Sequence, residues 1–223
     1  MPRPTWQNLD TDRRDRVLLA AMAEFGRHGY FGGSLNVVAR EAGVAKGSLF
    51  QYFHDKSDLF GYVAEQASLR VYAAMAPHLV AAPDGTEFVD QFAGLVEIWI
   101  AYMAAHPLER GVTAATTLER DPQVRRAVRE PVHRLYAQGI RPLLDNAVQR
   151  GDLRPDTDVD VLLHLIVMLL PHLAIAPFEP GLDAAVPLFG VPRRTRIANT
   201  RRLLDQVFCG VVTRAHRGVQ WSR

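Results

Sequence analysis

The chain contains very little cysteine, very little lysine and no segment with the composition of a secretion signal. Cys209 is the single cysteine among 223 residues, so no disulfide bond can form within one chain, which fits a reducing compartment. The first residues, MPRPTWQNLDTDRRDR, lack the apolar core of a signal peptide. We therefore expect a cytoplasmic protein.

Net charge is also low, because 26 basic and 24 acidic residues leave a formal charge of +2. Any nucleic-acid binding must therefore come from a local basic patch, since the whole chain is not a polycation. The hydrophobic fraction of 48% and the charged fraction of 22% are those of a folded globular protein. The length allows one large core, or a small domain joined to a larger one.

Long apolar runs are limited to VDVLLHLIVMLLPHLAIA, residues 159–176. Its length is marginal for a membrane span, and Asp160, His164, Pro171 and His172 within it are costly in lipid. We predict a buried helix here and no membrane partner.

The signatures of catalysis and of metal binding are missing as well. The sequence shows no glycine-rich phosphate loop, no activated nucleophile beside a base and no short histidine spacing for a metal. Asp156, Asp158 and Asp160 resemble the start of a calcium loop, but Val161 replaces its glycine and Val167 replaces its glutamate. We predict no catalytic residue, no metal and no cofactor.

Strand signals are almost absent, whereas helical periodicity recurs along most of the chain. In the first helix an apolar face at three- and four-residue spacing is followed by Gly29 as a stop. The predicted fold class is all-α. The predicted helices are 12–28, 34–42, 46–53, one restarting at 55–57, then 87–105, 108–118, 122–150, 158–175 and 194–216, with a long loop at 177–192.

Two short helices joined by EAGVAKG have the spacing of a helix-turn-helix, in which the second helix enters the major groove. The only two lysines of the chain, Lys46 and Lys56, both fall within residues 43–60. Taken alone, this clustering is equally explained by an arginine-favouring composition. Base reading is predicted for Lys46, Gly47, Ser48 and Gln51. Phosphate contacts are predicted for Tyr52, Lys56 and the helix N-terminus at Ser34.

The stretch SLNVVAREAGVAKGSLFQYFHDKSDLF, residues 34–60, resembles the tetracycline-repressor (TetR) family of bacterial transcriptional regulators. The matching positions are Ser34, Ala39, Ala42, Gly43, Val44, Lys46, Gly47, Ser48, Leu49, Tyr52, Phe53, Lys56, Asp58 and Leu59. Two positions depart from the family pattern. Phe50 replaces a tyrosine whose hydroxyl can touch phosphate, so we expect Phe50 to pack. Ala45 replaces a capping serine, a loss of about 1 kcal/mol of local stability.

The resemblance implies a DNA-binding domain at residues 1–60 and a helical ligand-binding and dimerisation domain at 61–223. It also implies a homodimer formed through the last two long helices, although the apolar helix at 158–175 could instead only fill the core of one chain. A two-fold dimer would bind a palindromic operator with half-sites about 34–36 Å apart, or multiples of that distance. The predicted interface residues are Leu162, Leu165, Ile166, Leu169, Leu203, Leu204, Val207 and Val211.

The effector pocket is predicted to be mostly apolar with a few polar groups. Its candidate residues are Phe92, Trp99, Tyr102, Met103, His106, His133, Tyr136, Met168 and His172. Each of them alone is more often ordinary core than ligand wall. The expected ligand is a mostly apolar small molecule, unless Arg110, Arg134 and Arg141 face inward and hold an anionic group.

The predicted function is a ligand-responsive transcriptional regulator, a repressor released from its operator when a ligand shifts the helix after Lys56. A helical scaffold protein with a vestigial helix-turn-helix is the alternative, and it would bind DNA weakly and without sequence preference. An enzyme would instead show turnover.

Overall fold

The computed structural model describes residues 2–79, 86–117, 119–183 and 185–213, and this part of the chain is helical. It holds ten α-helices and a short 3₁₀ turn, Ala76–His78, with a single antiparallel bridge between Leu153 and Val212. The all-α prediction is confirmed for the described residues. The helices are α1 Pro4–Gln7, α2 Thr11–Gly32, α3 Leu35–Glu41, α4 Lys46–Tyr52, α5 Lys56–Met75, α6 Phe88–Ala105, α7 Pro107–Thr117, α8 Pro122–Gln149, α9 Val159–Ile175 and α10 Arg193–Phe208.

The chain divides into two compact units. Unit 1 comprises Met1–Ala73 and Met103–Leu135, and unit 2 comprises Ala74–Tyr102 and Tyr136–Arg223. Unit 1 therefore holds the predicted DNA-binding segment together with most of α5, α7 and the first half of α8. The domain boundary at residue 60 stays a prediction.

The core of unit 1 forms around α2, whose predicted apolar face is confirmed. Its five apolar residues are all buried because three- and four-residue spacing places them on one side of the helix. Aromatic rings close this core, with Phe25 lying 5.1 Å from Phe60 between ring centroids and Trp6 lying 4.9 Å from Phe53. The buried residues of α2 are Val17, Leu18, Ala21, Met22 and Phe25.

Helix α2 changes direction at Gly29, the predicted stop. The φ angle of Gly29 is 66°, in the left-handed region that glycine adopts without strain, and one further turn runs on to Gly32.

Helices α2 and α7 approach each other closely inside unit 1, at Gly26 and Gly111. A Cβ atom placed on Gly111 would lie 3.1 Å from the Cα of Gly26. An ion pair adds to the packing of α7, because Arg70 Nη1 of α5 lies 3.2 Å from Oε1 of the buried Glu109. Any side chain larger than hydrogen at either glycine would push the two helix backbones apart.

In unit 2, helices α6 and α10 pack through aromatic rings. The ring centroid of Phe208 lies 5.0 Å from that of Phe88 and 5.2 Å from that of Phe92. Charged pairs tie the same two helices along their length, since Arg196 bonds Glu97 and Arg201 bonds Asp90.

Helix α10 is shorter than the sequence predicts. The predicted span was 194–216, but the helix ends at Phe208. Beyond it the backbone pairs with the loop after α8, through Arg154 N–H to Val211 O at 2.8 Å and Thr213 N–H to Asp152 O at 3.1 Å. This tertiary pairing competes with continued helix. The last predicted residues, 214–216, lie outside the described part of the chain.

One helix among the described residues, α6, has the length and apolarity of a membrane span, and α9 is a shorter apolar helix. A core helix has the same composition, and Phe88, Phe92, Val96 and Ile100 of α6 are buried in the protein. Packing inside the protein accounts for the apolar character of α6.

Candidate nucleic-acid interface

Helices α3 and α4 are held at an angle by a four-residue turn and a shared apolar contact. Gly43 adopts a φ of 66°, and Val44 N–H donates to Ala39 O at 2.9 Å, which closes the turn. Ala39 and Leu49 are buried in the same core cluster, one from each helix. This is the helix-turn-helix that the sequence predicts, and α4 is its recognition helix.

One face of α4 is turned to solvent. Successive residues of a helix are about 100° apart, so residues 46, 47, 50 and 51 share one side while 49 and 52 share the opposite side. The burial pattern follows this division: Leu49 and Tyr52 are buried. The exposed residues on the outward side are Lys46, Gly47, Phe50 and Gln51, with Ser48 partly buried at the margin.

Phe50 does not pack, in contrast to the expectation from sequence. Its side chain is 42% exposed, because its position lies about 160° around α4 from the buried Tyr52. At the start of α4, Ala45 occupies the N-cap position without a side-chain cap, as expected.

Tyr52 lies inside unit 1 and not on the predicted phosphate-facing surface. It is 6% exposed, and its ring centroid lies 5.6 Å from that of Trp6. The amide of Arg3 donates to its carbonyl oxygen at 2.8 Å. Tyr52 therefore anchors the N-terminal helix α1 to α4, which leaves little of its side chain for DNA.

The two lysines lie in different environments. Lys46 is exposed at the first position of α4, whereas Lys56 Nζ donates to Phe31 O at 3.1 Å and lies 4.9 Å from the ring centroid of Tyr30. Burial lowers the pKa of Lys56, and the nearby Glu24 and Glu119 partly oppose this shift. The ammonium group of Lys56 is thus engaged in contacts within unit 1. Of the two lysines, Lys46 is the one that is exposed to solvent on α4.

The N-terminus of α3 faces a carboxylate. The amide of Ser34 donates to Glu24 Oε1 at 2.8 Å, and the Ser34 side chain does not cap the helix. A phosphate predicted at this position would meet the negative charge of Glu24.

A groove of about 460 Å³ lies beside the start of α5, away from the outward face of α4. Asp55, Asp58 and Glu65 line it, together with Tyr62 and His54. Its acidic lining makes it unsuitable for the phosphate backbone of DNA.

The candidate effector residues are distributed over both units. Unit 1 holds Met103, His106 and His133, and unit 2 holds Phe92, Trp99, Tyr102, Tyr136, Met168 and His172. Within unit 1, Met103 is buried, His106 is exposed, and His133 Nε2 lies 3.2 Å from Arg129 Nε.

In unit 2 the same candidates range from core to surface. Phe92 is core, and Met168 is 49% exposed. Trp99 packs edge-on against Tyr136 with ring centroids 5.3 Å apart, and its buried Nε1 has no hydrogen-bond partner. His172 Nε2 lies 3.0 Å from Leu182 O. Tyr102 is half-buried.

Two of the three arginines proposed for an anionic ligand are engaged elsewhere. Arg110 Nη1 donates to Met103 O at 2.9 Å, and Arg141 pairs with Asp160 and lies 3.6 Å from Asp145. Arg134 is exposed on α8.

The predicted interface residues also divide by burial. Leu162, Ile166 and Leu204 are buried within one chain, so little of their surface is left for a second copy. Leu165 is 45% exposed. The partly buried members are Leu169, Leu203, Val207 and Val211.

The outward face of α9 carries an apolar row that includes Leu165, predicted for the dimer interface, and Met168, predicted for the effector pocket. Val161, Leu165 and Met168 are 55%, 45% and 49% exposed at i, i+4 and i+7 spacing. Asp158 Oδ1 accepts the amide of Val161 and fixes where the helix begins, but this N-cap does not indicate which side of the almost wholly apolar α9 faces solvent.

A missed feature is a buried polar cluster between α6 and α10. Arg196 Nη2 lies 3.2 Å from Glu97 Oε2, and both side chains are less than a fifth exposed. Glu97 Oε1, Arg196 Nε and Thr200 Oγ1 remain buried without a partner. The sequence offered no signal for it, since arginine is common throughout the chain.

These features define a helix-turn-helix DNA-binding protein with a second helical unit. The family profile described as "Bacterial regulatory proteins, tetR family" matches residues 17–63, and that described as "Tetracyclin repressor-like, C-terminal domain" matches residues 82–187. The chain belongs to the TetR family. It is a DNA-binding transcriptional regulator and not an enzyme.

Relatives and solved structures agree with this assignment. The chain is 30% identical over 156 residues to the HTH-type transcriptional repressor AcnR of Corynebacterium diphtheriae, covering 67% of this chain and 73% of AcnR. It is 34% identical over 92 residues to the repressor SCO4008 of Streptomyces coelicolor, covering 41% and 43% of the two chains. FadR of Bacillus subtilis, solved with stearoyl-CoA, shares the fold with a TM-score of 0.67 at 16% identity, over 88% of this chain and 98% of FadR.

Proposed function

We propose that this regulator is a homodimeric repressor that binds a palindromic operator and is released by a mostly apolar small molecule. The outward face of α4 carries this proposal, since it presents Lys46, Gly47 and Gln51 to solvent on a rigid, internally packed helix. Because its operator DNA would lie in the cytoplasm, we also propose a cytoplasmic location for the protein.

Base reading follows from the chemistry of that face. Lys46 can donate to guanine acceptors or to a phosphate, and Gln51 can pair with adenine. Beyond the neighbouring residues and the backbone of α4, no atom lies within 4 Å of the position of a Cβ on Gly47, so the DNA can come close to the backbone there. Ser48, at the margin, can donate a hydrogen bond to a base edge or accept one from it.

Dimerisation is supported by the apolar row on α9. Three large apolar side chains in a line on one helix are costly in water, and a second copy related by a two-fold axis would cover them. Leu169 of α9 and Leu203, Val207 and Val211 at and beyond α10 would complete the contact. Each copy would then present one α4 to one operator half-site.

The effector is proposed to bind among the helices of unit 2. The unpartnered Nε1 of Trp99 beside the ring of Tyr136 could donate to an acceptor on an otherwise apolar ligand. Phe92 and His172 remain candidate lining residues. The stearoyl-CoA bound by the fold relative FadR, a long apolar chain with a polar head, is consistent with this class of ligand.

The switch is proposed to act through unit 1. Lys56 at the start of α5 bonds the end of α2, and α7 packs on α2 at the Gly26–Gly111 contact. A ligand that prefers an arrangement in which α5 or α7 moves would shift α4 with it, and a coupling of about 1–3 kcal/mol is typical.

Selection of binding sites from a random duplex pool by the purified protein tests this function. A palindrome bound with nanomolar affinity, weakening steeply with salt, is the expected result. Lys46→Ala should lower the affinity and reduce the salt slope by about one per subunit if the lysine meets a phosphate. Weak binding without an enriched sequence would contradict operator recognition.

Release is tested separately with the selected operator. Fatty acyl-CoA thioesters of increasing chain length serve as the first probes, and the expected result is a fall in operator affinity of about 5- to 150-fold at saturation. A probe that binds unit 2 without altering operator affinity would contradict the switch.

A further inference from the structure

The most exposed feature of α4 that the proposed readout does not use is the phenyl ring of Phe50. It is 42% exposed and lies near the middle of the outward face, with Lys46 and Gly47 one turn before it and Gln51 beside it. A large apolar ring at the centre of a surface that enters the major groove would be desolvated in the complex. Its partner must therefore be apolar for the contact to be favourable.

A phenyl ring cannot make the hydrogen bonds by which side chains recognise phosphates and most base edges. The edge of a base pair in the major groove presents one apolar group, the C5-methyl of thymine. Phe50 can thus contribute sequence information only by covering a thymine methyl. A tyrosine at this position could instead reach a phosphate through its hydroxyl.

The surroundings of the ring allow such a contact. Apart from the two neighbouring residues and the backbone of α4 itself, no protein atom lies within 4 Å of the position that a Cβ on Gly47 would occupy, so the flank of Phe50 towards Gly47 is open. The opposite side of α4 is fixed by the buried Leu49 and Tyr52, which hold the helix and therefore the ring in one orientation.

We infer that Phe50 is a specificity-determining residue that reads a thymine methyl in each operator half-site. The inference rests on the proposed operator binding and adds the base that the apolar part of α4 selects. It predicts a thymine, symmetric in the two half-sites, flanked by the positions that Lys46 and Gln51 contact.

Uracil substitution tests the methyl without changing any hydrogen bond, because deoxyuridine differs from thymidine only in the absence of that group. In the selected operator, each symmetric pair of thymines is replaced by uracil, and the dissociation constant is measured at one salt concentration. One pair is expected to cost the wild-type protein about 15-fold, from about fourfold per methyl, which corresponds to about 0.8 kcal/mol each.

The protein variants complete a cycle. Phe50→Ala should bind the thymine and uracil operators within about twofold of each other, whereas Phe50→Leu, which keeps an apolar side chain, should retain part of the methyl sensitivity. Phe31→Ala is the matched control, because Phe31 is also an exposed phenylalanine of unit 1, at 68%, but lies outside α4. The Phe31→Ala protein should lose operator affinity on uracil substitution to the same extent as the wild type.

The outcomes separate the two proposals. If selection enriches no sequence, operator recognition fails and the thymine contact fails with it. If a palindrome is recovered but no uracil pair weakens wild-type binding, only the thymine contact is overturned. An equal uracil penalty in the wild type and in Phe50→Ala overturns it as well.

Discussion

The interiors of the two units differ in how they accommodate polar groups. In unit 1, α2 is surrounded by aromatic rings and a close glycine contact, and the buried Glu109 is paired with Arg70. In unit 2, buried polar atoms of Glu97, Trp99 and Thr200 lack partners. Among its described residues, unit 1 has one such atom, Nε of Arg3 near the N-terminus. The difference is consistent with the DNA-binding role proposed for unit 1 and the effector-binding role proposed for unit 2.

The outer surfaces differ in the same way. The exposed side of α4 in unit 1 is mostly polar with one phenyl ring, whereas the exposed side of α9 in unit 2 carries three large apolar residues. The first surface suits the proposed contact with base edges, and the second suits the proposed contact with a second copy of the chain. Five experiments would break or sharpen this comparison.

The largest effect is expected for Leu165→Glu on α9. Two buried carboxylates at a two-fold interface should raise the dimer dissociation constant at least about 100-fold. Sedimentation or mass photometry measures this. Leu19→Glu on α2 is the matched control, because Leu19 and Leu165 are 42% and 45% exposed. A Leu165→Glu protein that stays dimeric would place the interface elsewhere.

Two glycine-to-alanine substitutions compare the packing inside unit 1 with the packing inside unit 2. Gly111→Ala should lower the free energy of unfolding by about 1–2 kcal/mol, because the new methyl meets the backbone of Gly26. Gly94→Ala on α6 has open space around its Cβ position and should gain about 0.5–1 kcal/mol from helix propensity. Denaturant unfolding measures the free energy of unfolding of both variants. A gain in stability for Gly111→Ala as well as for Gly94→Ala would show that the α2–α7 contact can relax.

The two lysines should separate stability from DNA binding. Lys56→Ala should lower the free energy of unfolding by about 1 kcal/mol, since it removes the bond to Phe31 O and the contact with Tyr30. Lys46→Ala should change stability by less than about 0.5 kcal/mol while weakening operator binding. The reverse pattern in unfolding and anisotropy measurements would contradict these assignments.

Trp99→Phe removes the unpartnered indole N–H while keeping most of the aromatic ring. The lost volume and the removed buried donor act in opposite directions, so stability should change by less than about 1 kcal/mol. The response of operator binding to an active effector should weaken. A stability loss of several kcal/mol, measured by thermal unfolding, would show that Nε1 is bonded in solution.

The smallest effect concerns the loop after α8, where Arg154 Nε lies 2.9 Å from Asp156 Oδ1. The hydrogen bond from Arg154 lowers the pKa of Asp156. A lowered folded-state pKa stabilises the protein above the unfolded value of about 3.9, and this contribution is lost as pH falls through the folded value. Because the pair is exposed, Asp156→Asn should change Tm by about 1 °C or less at pH 7, and the difference should vanish at acid pH once Asp156 is protonated in the folded protein.

Much of the fold could be predicted because its signals are local. Some structural features depend only on residues close in sequence, such as the Ser34 N-cap position, Gly43 and the apolar spacing of α2. The bounds of α3 and α4 were therefore predicted to within one or two residues. The end of α10 could not be predicted in this way. The residues after Phe208 form backbone hydrogen bonds with residues 152–154, which are distant in sequence, and this pairing competes with a longer helix.

The candidate site was less predictable, since a helix phase says which residues share a face but not what lies opposite. Tyr52 and Lys56 are residue types that often contact phosphate. In the structure, however, the ring of Trp6 packs against Tyr52, and Lys56 donates to Phe31 O. Phe50 looked like a core residue and is exposed.

By itself the sequence determined the all-α class, the helix-turn-helix and the family resemblance, because glycine positions, caps and apolar periodicity act within a few residues along the chain. Only the tertiary structure decided which side of α4 faces solvent, which leucines of α9 remain uncovered and where buried polar atoms lack partners. Those properties depend on residues that meet only after the chain has folded.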